Sequence, residues 1–363
     1  MDATSNIPEH DSAAASTQRR RVHAQIPDDK AMLRAAAELT RDINTARPEI
    51  YWPDMIGSAL VGYGTLAGAI LVDTVWLAVA LGVVSVFALY RALLFIHEIS
   101  HLHRDALPGF RTAWNLLVGI PMLTPSLMYD SPHRIHHSRQ RYGTPDDPEY
   151  MPLALMKPWS LPLFVLVAAL APIALLVRWG VLAPLGVVIP AVRKFAWERG
   201  STLAINPDFR RRPAEDKERG WFLFQQTGAG LWALFVMSTP FWLGWKPLLV
   251  AMAVTAAVAV FNQLRTLVAH LWENEGEAMT VTAQYLDSVN VPSFVAGIWA
   301  PVGLRYHALH HLMPSLPYHS LHKAHKRISA KLGEGSTFAE ANHPGMIPLV
   351  GRIAKSTMGQ REA

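Results

Sequence analysis

Apolar residues fall into long blocks separated by polar stretches rich in histidine, a layout of helices that cross or enter a bilayer. The first block runs from Met55 to Ile96 and is interrupted at Asp73. With a rise of about 1.5 Å per residue and a hydrocarbon core about 30 Å thick, it holds two crossings, the first short, joined by a turn at Val72-Asp73-Thr74. Residues 113–128 are apolar but short and carry Pro121 and Pro125, which predicts a segment lying at or dipping into the interface. The block from Leu161 to Ala191, with Pro172, Arg178, Pro184 and Pro190, reads as two short crossings or one dipping helical hairpin. Two further spans, Trp221 to Trp242 and Pro247 to Trp272, flank a turn at Gly244-Trp245-Lys246-Pro247. Val289 to Val302 is too short to cross and is expected at the surface, and a short helix is expected from Asp28 to Arg41.

The pattern predicts an all-α integral membrane protein with four to six spans. Each pair of crossings returns the chain to its starting side, so the polar stretches at 97–103, 133–137, near 270 and 307–311 face one compartment. Three parts are expected: a polar N-terminal segment 1–50, a membrane domain 51–330 and a polar tail 331–363.

Composition agrees with the membrane class: 51% hydrophobic and 17% charged residues, with a mean hydropathy of +0.16. The net charge of +5 does not point to nucleic acid. Its arginines cluster at Arg19-Arg20-Arg21 and around Arg210-Arg211-Arg212 within the loop 193–219, beside apolar blocks, which places them and the histidines on the cytoplasmic face of an inner or plasma membrane. The first 50 residues lack the apolar core of a signal peptide, which argues against export as a soluble protein. With no cysteine, structural disulfides, iron–sulfur clusters and thiolate zinc sites are excluded, leaving nitrogen and oxygen ligands for any metal.

Of sixteen histidines, ten occupy four places: His97, His101 and His103; His133, His136 and His137; His270; and His307, His310 and His311. On a helix, positions i and i+4 share one face, so His97 and His101 reach one centre. The two His-x-x-His-His boxes present three imidazoles each, and adjacent histidines point about 100° apart, which suits two ions better than one. Imidazole alone does not select a metal. Nine such ligands exceed what zinc takes up, whereas iron accepts six and can leave positions for dioxygen, so two iron ions with O2 as co-substrate account better for the set.

The ordered triple His97-x-x-x-His101, His133-x-x-His-His137 and His307-x-x-His-His311, continued by Leu312-Met313-Pro314-Ser315-Leu316-Pro317-Tyr318-His319, resembles the membrane fatty acid desaturase superfamily over about Met55 to His325. That resemblance implies a cytosolic helical cap holding a di-iron centre, fed by a separate electron donor such as ferredoxin, a rubredoxin-like protein or cytochrome b5. It also implies a further iron ligand after the last span, the place of His270. In relatives acting on acyl-CoA, an asparagine one turn earlier contacts iron through water; here Thr266 stands there and Asn262 lies two turns away. The continuation after His311 resembles acyl desaturases, so oxygen-dependent desaturation of a fatty acyl or related lipid chain is the leading expectation, with hydroxylation the alternative.

Glu98, Asp130, Asp146, Asp147 and Asp287 are expected to accept the second ring N–H of ligand imidazoles. His103 is left outside the ligand set, while His319, His322 and His325 are assigned to orienting ligands or meeting headgroups. Arg104, Arg134, Arg139, Arg305 and Lys323 are the cations available to an anionic headgroup. Two rival classes use fewer of these residues. The motif His97-Glu98-x-x-His101 matches a zinc peptidase with Glu98 as general base, which leaves the later boxes without a role, and a metal transporter would put ionisable groups in mid-membrane, whereas the boxes lie beyond the span ends and the spans are nearly free of Asp and Glu.

Overall fold

The computed structural model describes residues 24–103 and 105–358, and the Arg19 to Arg21 run lies outside them. No strand occurs among the described residues; the helices used below are α1 (Lys30–Leu39), α2 (Pro48–Leu71), α3 (Val75–His101), α4 (Asp130–His136), α5 (Ser160–Val188), α6 (Pro190–Glu198), α7 (Asp216–Ser238), α8 (Trp245–Leu267), α9 (Val281–Asp287), α10 (His307–Leu312), α11 (Tyr318–Leu332) and α12 (Met346–Met358). Four of them, α2, α3, α5 and α8, are long and apolar enough to cross a membrane. Their outer faces expose large apolar side chains such as Leu60, Leu71, Val79 and Leu166, as lipid-facing helices do.

The α2–α3 hairpin breaks at 72–74, as the sequence predicts, and its two helices approach closely at Gly62. A Cβ there would meet Leu89 Cδ2 at 2.6 Å, and the Ser85 hydroxyl donates to the Gly62 carbonyl across the contact at 2.8 Å. Hydropathy averaging conceals one ion pair in the hairpin: the Arg91 guanidinium grips Asp54 at 2.5 and 2.7 Å, and the Tyr318 hydroxyl donates to the same carboxylate.

The proline-bearing block is one helix, α5, that folds back sharply into the short α6, with Gly186 against the Arg193 backbone. Pro172 and Pro184 sit in the first turns after 3-10 and π stretches, where a missing N–H is tolerated. Arg178 is accommodated in this block by donating to Gly200 and Ser201 and lying over the Trp179 ring. The chain beyond α6 rejoins the side it left: the Ile205 N–H meets the Pro148 carbonyl and Asn206 Nδ2 the Asp147 carbonyl. In place of two short helices the block thus forms one long helix, α5, with the short α6 folded back on it. Residues 110–128 likewise go in and return, with the Asn115 side chain bonded to Ser126.

Helix α7 begins with a reciprocal capping box between Glu215 and Glu218 and is more polar than the four apolar helices. Its buried Gln225 accepts from the Leu127 N–H. The turn after α7 meets the turn of the first hairpin, where Lys246 Nζ donates to the Val72 carbonyl at 2.8 Å. That contact fixes the face opposite the histidines.

On the histidine side, α1, α9, α10, α11 and α12 form a cap. Met32 and Ala36 of α1 pack with Leu321, Ala324 and Ile328 of α11, while Ile353 of α12 reaches the Leu153 and Trp272 cluster. The described residues on both sides of 51–330 thus pack into the same body. Isolated bridges His270 to Ser288 and Asn290 to Tyr306 tie the irregular cap segments together.

Candidate metal centre

The nine histidines of the three boxes and position 270 converge in two groups. His97, His101, His133, His137 and His310 form one; His136, His270, His307 and His311 form the other, with the ligand atoms of each group within 4.8 Å of one another. Peptide neighbours separate as helical geometry requires: His136 and His137 enter different groups, as do His310 and His311.

The ring nitrogens test whether metal ions fit. Nε2 of His310 lies 3.1 Å from Nε2 of His101 and 3.2 Å from that of His137, and His133 and His137 approach at 3.1 Å. In the other group, His307 meets His270 at 3.1 Å and His311 at 3.2 Å, again through Nε2. Neutral imidazoles cannot satisfy so many mutual contacts, because each ring carries one proton. Neighbouring ligands at right angles around an ion, each about 2.1 Å from it, stand about 3.0 Å apart. Both His97 ring nitrogens are also buried without a partner. The donor set therefore fits two ions, one per group.

The opposite ring edges are braced. His133 Nδ1 meets Glu149 at 3.1 Å, and His136 Nδ1 meets Asp147 at 2.9 Å. His270 Nδ1 meets the Tyr142 hydroxyl at 2.8 Å, which in turn donates to Asp287 at 2.8 Å, with Ser288 Oγ also 3.2 Å from the ring. Such outer contacts fix ring orientation and leave Nε2 for the ion. Burial, followed by the charges of neighbouring imidazoles, holds His133, His137, His310 and His311 well below the ordinary histidine range, which keeps them neutral with a lone pair to offer. Burial acts most strongly on His136 and in the same direction, but the carboxylates of Asp147, Glu149 and Asp287 together raise the value above the ordinary range. Burial pushes Glu149 up to about 7. Beside His270, Trp272 adopts a left-handed φ of 61° and donates from Nε1 to the Leu267 carbonyl, turning the chain sharply out of α8.

Several expected roles are not those the geometry allows. Glu98 is adjacent to His97 on the helix and so faces away: its carboxylate takes the Tyr51 hydroxyl and the Tyr318 N–H and stays 3.8 Å from His97 Nδ1. That orientation also removes the peptidase reading, which needs Glu98 in the site. Asp130 is engaged by Arg111, and Asp146 is exposed. Asp287 acts through Tyr142. His103 is exposed beside Asp105, because it follows the end of α3. Asn262 and Thr266 hold the Arg265 guanidinium.

His319 lies over Tyr51 and Tyr318 and lines a cavity of about 370 Å³ with Arg91, Arg305 and His322. His322 is bonded to the Tyr306 hydroxyl and His325 to Asn342. Of the remaining cations, Arg139 pairs with Asp28, Arg134 bonds the Asp130 carbonyl, Lys323 is exposed, and Arg104 lies outside the described residues. Glu149, Tyr142 and Ser288 were not anticipated; they sit in irregular segments whose placement no periodicity announces.

The sequence model described as "Fatty acid desaturase" matches residues 74–340, and the chain belongs to this family of membrane oxidoreductases. A ceramide hydroxylase of Caulobacter vibrioides (strain NA1000 / CB15N) is 42% identical over 335 residues, covering 91% of this chain and 95% of that protein.

Proposed function

We propose that this protein is an oxygen-dependent, di-iron hydroxylase of an amide-linked long-chain lipid of the ceramide type. One observation carries the reading: nine buried or half-buried imidazoles in groups of five and four, on a chain similar over 91% of its length to a ceramide hydroxylase. The similarity favours hydroxylation, the alternative named from the sequence, over desaturation. The continuation after His311 that suggested desaturation is thus a family feature, not a guide to outcome.

Each histidine group would hold one iron ion, and the pair would supply the activation of dioxygen, with two electrons from a separate donor protein. The overall change inserts one oxygen atom into a C–H bond; the second oxygen leaves as water with two protons and the two electrons. The chain's own residues do the rest. Asp147, Glu149 and the Tyr142–Asp287 pair keep the imidazoles oriented, and burial of the centre excludes bulk water. The lipid tail lies among the apolar helices, where each buried methylene contributes about 0.8 kcal/mol. The donor remains one of ferredoxin, a rubredoxin-like protein or cytochrome b5. A cytoplasmic orientation is supported by the arginine-rich 193–219 segment, which contacts the histidine-bearing cap.

The test is reconstitution with iron, a reductant and ceramide under 18O2. A product carrying one labelled oxygen is expected; a product lighter by two hydrogens restores desaturation, and an oxygen-independent change in the lipid rejects both.

A further inference from the structure

Arg265 sits in the last turn of α8, five residues before His270, and only 9% of it is exposed. Its NH2 group donates to Thr266 Oγ1 at 2.8 Å and more distantly to Asn262 Oδ1 at 3.4 Å, both on its own helix, and the guanidinium also reaches the Tyr90 hydroxyl of α3. Its Nε–H is buried and has no acceptor, and among the described residues Arg265 forms no ion pair. The charge lies near both halves of the centre, close enough to act on His270 and His307 in one and on Glu149, the partner of His133, in the other.

A desolvated guanidinium without a carboxylate, placed beside a cradle for two cations, is unfavourable unless something else supplies an acceptor. Thr266 and Asn262 engage one end of the guanidinium, so the fork that would clasp a carboxylate or phosphate is partly occupied. The buried Nε–H is left without an acceptor, and one such donor suits one oxygen atom. An uncharged acceptor can be carried into this apolar setting at far less cost than an anion.

We propose that Arg265 receives the acyl carbonyl oxygen of the lipid's amide, presenting the carbons next to that carbonyl to the histidine centre. The inference rests on the hydroxylase reading and deepens it by naming the group recognised. Its consequence is a hydroxyl group placed close to the carbonyl, away from the middle and end of the chain.

Binding to the iron-loaded protein in detergent, kept anaerobic and without a reductant so that no turnover occurs, tests this independently of activity. A fluorescent N-acyl sphingoid lipid is titrated against an analogue whose chain is ether-linked and lacks the carbonyl. The wild type is expected to prefer the amide about tenfold, and R265M to bind both equally, with R265K retaining part of the preference. Lipid-free R265M is expected to melt at or above the wild-type temperature, since an unpaired buried charge has been removed. Absence of a carbonyl preference in the wild type, its survival in R265M, or a lower melting temperature for R265M overturns the proposal; the first of these needs no variant to fold. Fragment masses of the wild-type product should place the hydroxyl beside the carbonyl, and a mid-chain hydroxyl overturns it too. A carbonyl preference combined with a product lighter by two hydrogens leaves Arg265 assigned and removes the hydroxylase reading.

Discussion

The two histidine groups are built by different means. The five-histidine group draws His97 and His101 from the end of a 27-residue helix, α3, that packs closely on α2, and among the described residues only His133 of that group has a carboxylate hydrogen-bonded behind it. The four-histidine group contains no residue of a long helix. His270 follows α8 through an irregular turn, and the group relies on Asp147 behind His136 and on Tyr142, Asp287 and Ser288 behind His270. One group is positioned by helix packing, the other by hydrogen bonds in the cap, so each should fail under different changes.

The largest effect comes from removing a ligand that belongs to one group. H137A should lose at least a hundredfold in activity and lower bound iron toward one ion per chain, read by elemental analysis of the purified protein. H136A should do the same from the other side; equal loss of both ions in each variant would erase the distinction between the groups. Next, D147A should weaken metal retention about 10- to 100-fold, measured by competition with a chelator, because an uncompensated buried imidazole edge replaces a braced one. Y142F should cost less, about tenfold or below, since Ser288 still stands 3.2 Å from His270 Nδ1. The smallest change is aimed at the packed side. G62V forces the α2–α3 contact apart against Leu89 and should destabilise the protein by about 1–3 kcal/mol, while G64A, with nothing within 4 Å of the added Cβ, should melt like the wild type. If G62V weakened the four-histidine group first, helix packing would not be what holds the five.

Much of this was readable along the chain, for reasons that also explain the misses. The boxes were visible because spacing on a helix decides which side chains share a face, and that same 100° step assigned His136 and His137 to separate ions. It should equally have turned Glu98 away from the ligand face. The hairpin turn at 72–74 was legible from hydropathy, yet Asp54 and Arg91 vanished into the average because single charges barely move it. His270 came from family resemblance, since a lone histidine has no pattern. Tyr142, Glu149 and Ser288 lie in segments fixed only by tertiary contacts, and α7 owes its place to what it connects more than to its own hydropathy.

The splitting of peptide neighbours between the two groups reaches beyond geometry. Helix α10 is six residues long and delivers His307 and His311 to one group and His310 to the other, so it cannot tilt to improve one set of bonds without disturbing its counterpart. Filling either half therefore steadies the backbone that presents the remaining half, so the ion left in a variant with one half destroyed should exchange faster than it does in the doubly loaded protein.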